Sequence, residues 1–211
     1  MSNRAYVYVD GFNFYYRALK QRNPRLKWLN LVRLSELLLD QDDTVEQLRY
    51  FTARVSSRSG DKDAPRRQQI YFSALQSEPR VSIHYGRFLA KTKKRPLVSD
   101  PKTYVEVHDT EEKGSDVSLA SHLIHDAWQN RFDIALVMSQ DTDLVEPLRM
   151  VSQELNKTVG LAWLDGSRPN GKLVRATTFV RHVEKRHLRS AQFPNPLVRQ
   201  DGKEIRKPAG W

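Results

Sequence analysis

AYVYVDG, residues 5 to 11, is a short continuous apolar run that ends in an acid and a glycine. An unbroken apolar stretch of this length fits a strand buried on both faces, and the pair behind it marks a turn. IALVM, residues 134 to 138, and VGLAWL, residues 159 to 164, repeat the pattern. Around them lie segments read as helices: about Phe12 to Lys20, Leu31 to Leu39, Pro65 to Ser77, Asp116 to Trp128 and Asp143 to Leu155. Val45 to Val55 and Val81 to Leu89 read as further strands, and Thr103 to His108 as a short edge strand. Strands alternating with helices predict an α/β fold whose mainly parallel sheet is covered on both faces.

With 211 residues, 39% of them hydrophobic, the chain is long enough for one well-buried core and too short to demand two. Residues 1–185 are the expected domain. From about Arg186 the sequence becomes proline-containing, charged and aperiodic, so residues 186–211 are expected to form a basic C-terminal tail, extended or disordered. The chain has no cysteine, which excludes disulfide frameworks, thiolate zinc sites and cysteine nucleophiles and fits a reducing compartment. Asp10 interrupts the first apolar stretch too early for a signal sequence or a membrane span, so a soluble cytoplasmic protein with no membrane partner is expected.

A formal net charge of +10 points to an anionic partner, of which nucleic acid is the commonest; the competing reading is a basic chain that is merely soluble. The cations cluster in Arg87 to Lys102 and again in Lys185 to Lys207. Within the first cluster, Lys91, Lys93, Lys94 and Arg95 are expected to bind phosphates without reading sequence, or else to form a solvated face.

In an open parallel sheet the ligand crevice lies outside the carboxyl ends of the strands. Asp10 ends the first buried strand, Asp141 and Asp143 follow the strand Ile134 to Met138, and Asp116 opens a helix, so distant elements deliver carboxylates to one rim. Crowded anions repel unless a cation sits among them, and oxygen ligands suit Mg²⁺ or Mn²⁺. Taken singly, Asp116, Asp141 or Asp143 also fits a helix cap. Asn13 points its amide at the same crevice or caps the first helix. Ser139 hydrogen-bonds a carboxylate or bound water, or is a small turn residue. Lys113 neutralises a phosphate oxygen, or is a solvated lysine. The six histidines show no HxH or HExxH spacing, which leaves zinc chemistry without support.

VYVDGFNFYY at Val7 to Tyr16, KGSDVSLA at Lys113 to Ala120 and VMSQDTDLVEPL at Val137 to Leu148 together resemble the NYN domain family, in the LabA-like (DUF88) branch of PIN-like nucleases, over roughly residues 4 to 183. The resemblance implies a PIN-like three-layer α/β/α sandwich, an acidic site for divalent metal formed by Asp10, Asp116, Asp141 and Asp143 with Asn13 beside it, and ribonuclease activity. Members often carry glycine where Gln140 stands, an aromatic where Leu144 stands and an acid where His122 stands. His122 is then a buried polar residue, a nucleic-acid contact or a replacement ligand.

The expected chemistry is metal-assisted phosphodiester hydrolysis of RNA, single-stranded by preference. Preference for RNA over DNA rests on the resemblance. An aspartyl-phosphate mechanism of the haloacid-dehalogenase kind needs an acid two residues after Asp10, where Phe12 stands. The other alternative is a catalytically silent nucleic-acid-binding or adaptor module on the same fold. Both a monomer and a homo-oligomer fit the sequence.

Overall fold

In the computed structural model, which describes residues 2–57 and 60–211, the apolar run at the start of the chain lies in the middle of a parallel sheet. In chain order the first half consists of β1 (Asn3–Asp10), α1 (Gly11–Phe14, continued by a π-helical turn, Tyr15–Lys20), α2 (Leu31–Leu38), β2 (Asp43–Thr52), α3 (Ala64–Leu75) and β3 (Val81–Tyr85). Then follow β4 (Arg87–Pro96), β5 (Tyr104–Lys113), α4 (Ser115–Trp128), β6 (Ile134–Met138), α5 (Val145–Arg149, between a 3₁₀ turn and a π-helical turn) and β7 (Thr158–Trp163). The chain closes with α6 (Gly171–Arg175), β8 (Phe179–His182), α7 (Lys185–Ser190) and the two-residue strands β9 (Leu197–Val198) and β10 (Glu204–Ile205).

The sheet runs β3-β2-β1-β6-β7-β8, and every pairing in it is parallel. Strand periodicity explains its two cores. Ala5, Val7 and Val9 of β1, with Ile134, Leu136 and Met138 of β6, face one layer containing α2 and α3. Tyr8 of β1, with Ala135 and Val137 of β6, faces the other layer, containing α4, α5 and α6. The result is three layers, α/β/α, as expected. Gly11 makes the turn out of β1 possible: a Cβ there would come within 2.6 Å of the Tyr50 ring and 2.9 Å of the Phe51 carbonyl.

One buried charge ties the second layer to the sheet. Asp126 of α4 is 0% exposed and accepts from the Tyr8 hydroxyl at 2.8 Å, from Arg49 at 2.7 and 3.1 Å and from Arg131 at 2.9 Å. Burial opposes its charge, but these donors outweigh burial and hold the carboxyl below its ordinary range.

Two expectations are corrected. The run Val81 to Leu89 is not one strand, because the chain leaves the sheet at Gly86; β4 and β5 pair only with each other, as an antiparallel ribbon. Thr103 to His108 therefore belongs to that ribbon and is no edge of the main sheet. Residues 186–211 are folded rather than extended or disordered. Leu188, Ala191 and Phe193 are buried in the first core, with Leu197, Ile205 and Trp211 packed against it. The indole N–H of Trp28 donates to the Pro194 carbonyl at 3.0 Å, and the Phe193 amide donates to the Trp28 carbonyl at 2.9 Å. His187, in the same segment, accepts from the Glu184 amide in a capping box at the start of α7.

Removing the Phe193 ring, which lies 5.7 Å from the Trp28 ring, leaves a cavity in this core. Phe193→Ala is expected to cost about 3 kcal/mol of unfolding free energy. Urea denaturation measures it, and an unchanged midpoint would mean that the segment does not pack.

Candidate active site

The strand order reverses between β1 and β6, which splay the following connections apart and open a crevice at their carboxyl ends. That crevice has a volume of about 670 Å³, and Asp10, Asn13, Glu112, Asp116 and Asp141 line it. Asp10 is 5% exposed at its floor. One of its oxygens accepts the Asn13 amide at 3.0 Å and the other accepts the Ser139 hydroxyl at 2.9 Å. Ser139 in turn accepts the Asp141 amide at 3.1 Å, and the Asn13 side-chain oxygen accepts the Gln140 amide at 3.1 Å. The ends of β1 and β6 are thus stapled together by the residues of two sequence motifs.

Burial pushes the Asp10 carboxyl up to about 6; the Asn13 and Ser139 hydrogen bonds oppose this shift, while the charges of Asp116 and Asp141 add to it. Asp116 is raised as well, first by burial and then by Asp141, Glu112 and Asp143. Loss of hydration is therefore the larger cause at both groups, ahead of the crowding of charge. Capping and site geometry coexist. Asp10 caps α1 and Asp141 caps the 3₁₀ turn, where it accepts the Asp143 amide at 3.0 Å. Asp116 makes no cap, since Gly114 occupies that position without a side-chain bond.

Asp10, Asn13, Asp116 and Asp141 meet in the crevice. Asp143 is exposed at its margin and outside the lining. Lys113 does not reach it, because its ammonium lies 3.0 Å from Glu111. Strand alternation separates the basic residues of the ribbon: Phe88, Thr110 and Glu112 face the crevice, so Lys91, Lys93 and Arg95 project from the opposite face. There Lys91 and Lys93 pair with Glu111, and Lys93 and Arg95 with Asp109, so these are strand residues with carboxylate partners and not a loop of like charge. Lys94 shares the parity of Phe88 but lies farther along the ribbon. Among the described residues the cations that line the crevice are Lys20, Lys27 and Arg67, and its aromatic walls include Phe12, Tyr15, Tyr16, Phe88 and Trp211.

Sequence reading also missed Glu112, which accepts the Ser115 hydroxyl at 2.5 Å beside Asp116. Its place in a strand two residues before Gly114 was the available signal. His122 packs against His84, with ring centroids 4.3 Å apart, and against Phe51. Burial lowers its pKa, and it lines no part of the crevice. Gln140 has a buried side-chain oxygen without a hydrogen-bond partner among the described residues, and its amide reaches Asp165.

Among the described residues no three acidic or histidine side chains form a ready-made metal cage. The donor chemistry nevertheless fits a hard divalent cation: the carboxylates of Asp10, Asp116 and Asp141 line one crevice, and Asp10 carries a desolvated charge that a cation would compensate. No described helix is long and apolar enough to cross a membrane.

A model of the NYN domain matches residues 4–183. The chain belongs to the NYN domain family. The expected PIN-like parallel sandwich accords with that membership. A relative from Pseudomonas putida, 6-hydroxy-3-succinoylpyridine 3-monooxygenase HspA, is 27% identical over 99% of this chain and 75% of its own length. The crystal structure of VPA0982, a protein of unknown function from Vibrio parahaemolyticus, superposes with a TM-score of 0.55 at 16% identity, covering 87% of this chain and 94% of that one. The latter is a likeness of fold. The match to HspA continues beyond the NYN domain into the C-terminal segment that packs beside α2 and α3.

The raised Asp10 sets a pH dependence in this NYN domain. Its protonated form favours the folded state, so its contribution is complete below about pH 4, the unfolded value, and is lost as pH rises through about 6. Asp10→Asn keeps the shape and removes the charge, and is expected to stabilise the metal-free protein by about 3 kcal/mol above about pH 7 while flattening the change between about pH 4 and 6. Denaturation in chelator at both ends of that window measures this. A variant less stable than wild type on the alkaline side overturns the electrostatic account.

Proposed function

We propose that this NYN domain is a divalent-metal-dependent endoribonuclease that hydrolyses phosphodiester bonds of single-stranded RNA in the cytoplasm. The observation that carries the reading is the buried Asp10, fixed by Asn13 and Ser139 at the floor of a crevice that also receives Asp116 and Asp141. Asp10, Asp116 and Asp141 would hold Mg²⁺ or Mn²⁺, with Asp143 at the margin. Such an ion supplies a more acidic water and charge neutralisation at the phosphate. The chain's own groups do the positioning. Ser139 and Asn13 leave Asp10 little rotational freedom, so its carboxylate is presented to the crevice in one orientation. Lys20, Lys27 and Arg67 give phosphates counter-charges along the wall, while Phe12, Tyr16 and Phe88 offer faces on which bases stack.

A second reading is favoured by the HspA match, which spans nearly the whole chain. The aromatic walls that suit a base also suit a small heterocycle. Ring hydroxylation needs dioxygen and an electron donor, so this reading adds the requirement for a nicotinamide or flavin in the same crevice.

With purified protein and a labelled single-stranded RNA, cleavage is expected with Mn²⁺ or Mg²⁺ and none in EDTA. Asp10→Ala and Asp141→Ala should each lower the rate by roughly 100-fold or more, and Ser139→Ala by about tenfold. Cleavage that persists in EDTA, or in Asp10→Ala, rejects the metal mechanism. Oxidation of NADH dependent on a hydroxypyridine, without RNA cleavage, establishes the second reading instead.

A further inference from the structure

Behind the crevice, on the layer that carries α3, lies a separate groove with a volume of about 780 Å³. One wall is α3 and the other is the β9–β10 hairpin with the segment that follows it. Arg66, Arg67, Arg199, Lys203, Arg206 and Lys207 line the groove, against the carboxylates of Asp63 and Glu204. Asp61 and Asp201 also pair with some of these cations, so even with all four acids counted the cations are in excess. Asp61 holds Arg67 closely, but the pairs on the hairpin are weak competitors for a phosphate. Arg199 and Lys203 approach Asp201 only to 3.7 Å, and Arg206 pairs with Glu204 at a site where both side chains are largely exposed.

The floor of the groove is apolar, made by Ile70, Ile205 and Pro208. An apolar floor under a cationic rim matches a single nucleic-acid strand, which presents phosphates along one edge and sugars and base faces along the other. The groove lies beside the crevice. Arg67 lines both, and the segment from Pro208 to Trp211 separates them, with Pro208 on the groove side and Trp211 on the crevice side. Trp211 is held edge-on to Tyr71, ring centroids 5.8 Å apart, and Lys27 lies over its ring at 5.9 Å.

We propose that this groove is a second, non-catalytic subsite for single-stranded RNA, which grips the sugar-phosphate backbone of the strand beyond the crevice and makes the affinity of the protein depend on substrate length. The proposal rests on the ribonuclease reading for the identity of the strand. It assigns a binding role to Arg66 and Lys203, two exposed side chains outside the crevice.

Equilibrium binding in EDTA separates this from catalysis, with an oligouridylate of about 20 nucleotides and one of about 5, too short to fill both cavities. Arg66→Ala with Lys203→Ala should weaken the long oligonucleotide about tenfold, leave the short one unchanged, and reduce the slope of log affinity against log salt by about 1.4. The charge-matched control is Lys172→Ala with Arg175→Ala, on the opposite layer of the sheet, and it should change neither. Unchanged affinity for the long strand in the groove variant, or an equal loss in the control, overturns the proposal. The two readings fail separately. RNA bound in a groove-dependent way but never cut with Mn²⁺ or Mg²⁺ rejects the nuclease and keeps the subsite, whereas RNA cut normally by a groove variant with wild-type affinity for the long strand does the reverse.

Discussion

The burial of Asp10 is the constraint from which the rest of the site follows. A carboxylate at the end of a central parallel strand is far from bulk water, and its two oxygens must find donors or lose several kilocalories of hydration. They find the Asn13 amide, three residues on, and the Ser139 hydroxyl, on the neighbouring strand end. The first bond starts α1; the second fixes β1 to β6 where their connections diverge. Ser139 then receives the Asp141 amide, which sets the direction of the turn that brings Asp141 to the crevice. One charged group therefore organises two loops, and its demand for positive charge is left partly unmet.

The opposite end of the same problem is seen at Asp126. It too is a buried carboxylate reached by the second-layer helix α4, but two arginines and a tyrosine satisfy it and its pKa falls. Among the described residues Asp10 has neutral donors only, and its pKa rises. The contrast distinguishes a charge used to hold layers together from one kept available for a ligand.

Much of this was legible in the sequence. Unbroken apolar runs predicted β1, β6 and β7 to within two residues at each end, because a strand covered on both faces admits nothing else. The acids at strand ends followed from the same reasoning. What was not legible depended on tertiary partners. Val81 to Leu89 alternates as one strand, and only the approach of Glu112 and the Lys113 backbone to Gly86, where a Cβ would meet them at 2.2 and 2.7 Å, shows why the chain turns out of the sheet there. The C-terminal segment lacks periodicity because Leu188, Phe193, Ile205 and Trp211 each fill a different gap beside α2 and α3 instead of forming one amphipathic face. Nothing in the local sequence marks Asp126 out, since the register that presents Arg49 and Tyr8 to it is not written in its own helix.

The position of Trp211 has a consequence for the order of events during synthesis. Asp10, at the floor of the crevice, is made well before Trp211, which forms part of its wall. A growing chain can form the β1–α1 turn early, but it has no complete crevice until the segment carrying Trp211 has emerged and folded back past α3. Completion of the site is thereby coupled to the packing of the segment that ends in Trp211, so that a chain in which this segment has not yet docked carries the acidic residues without the finished pocket.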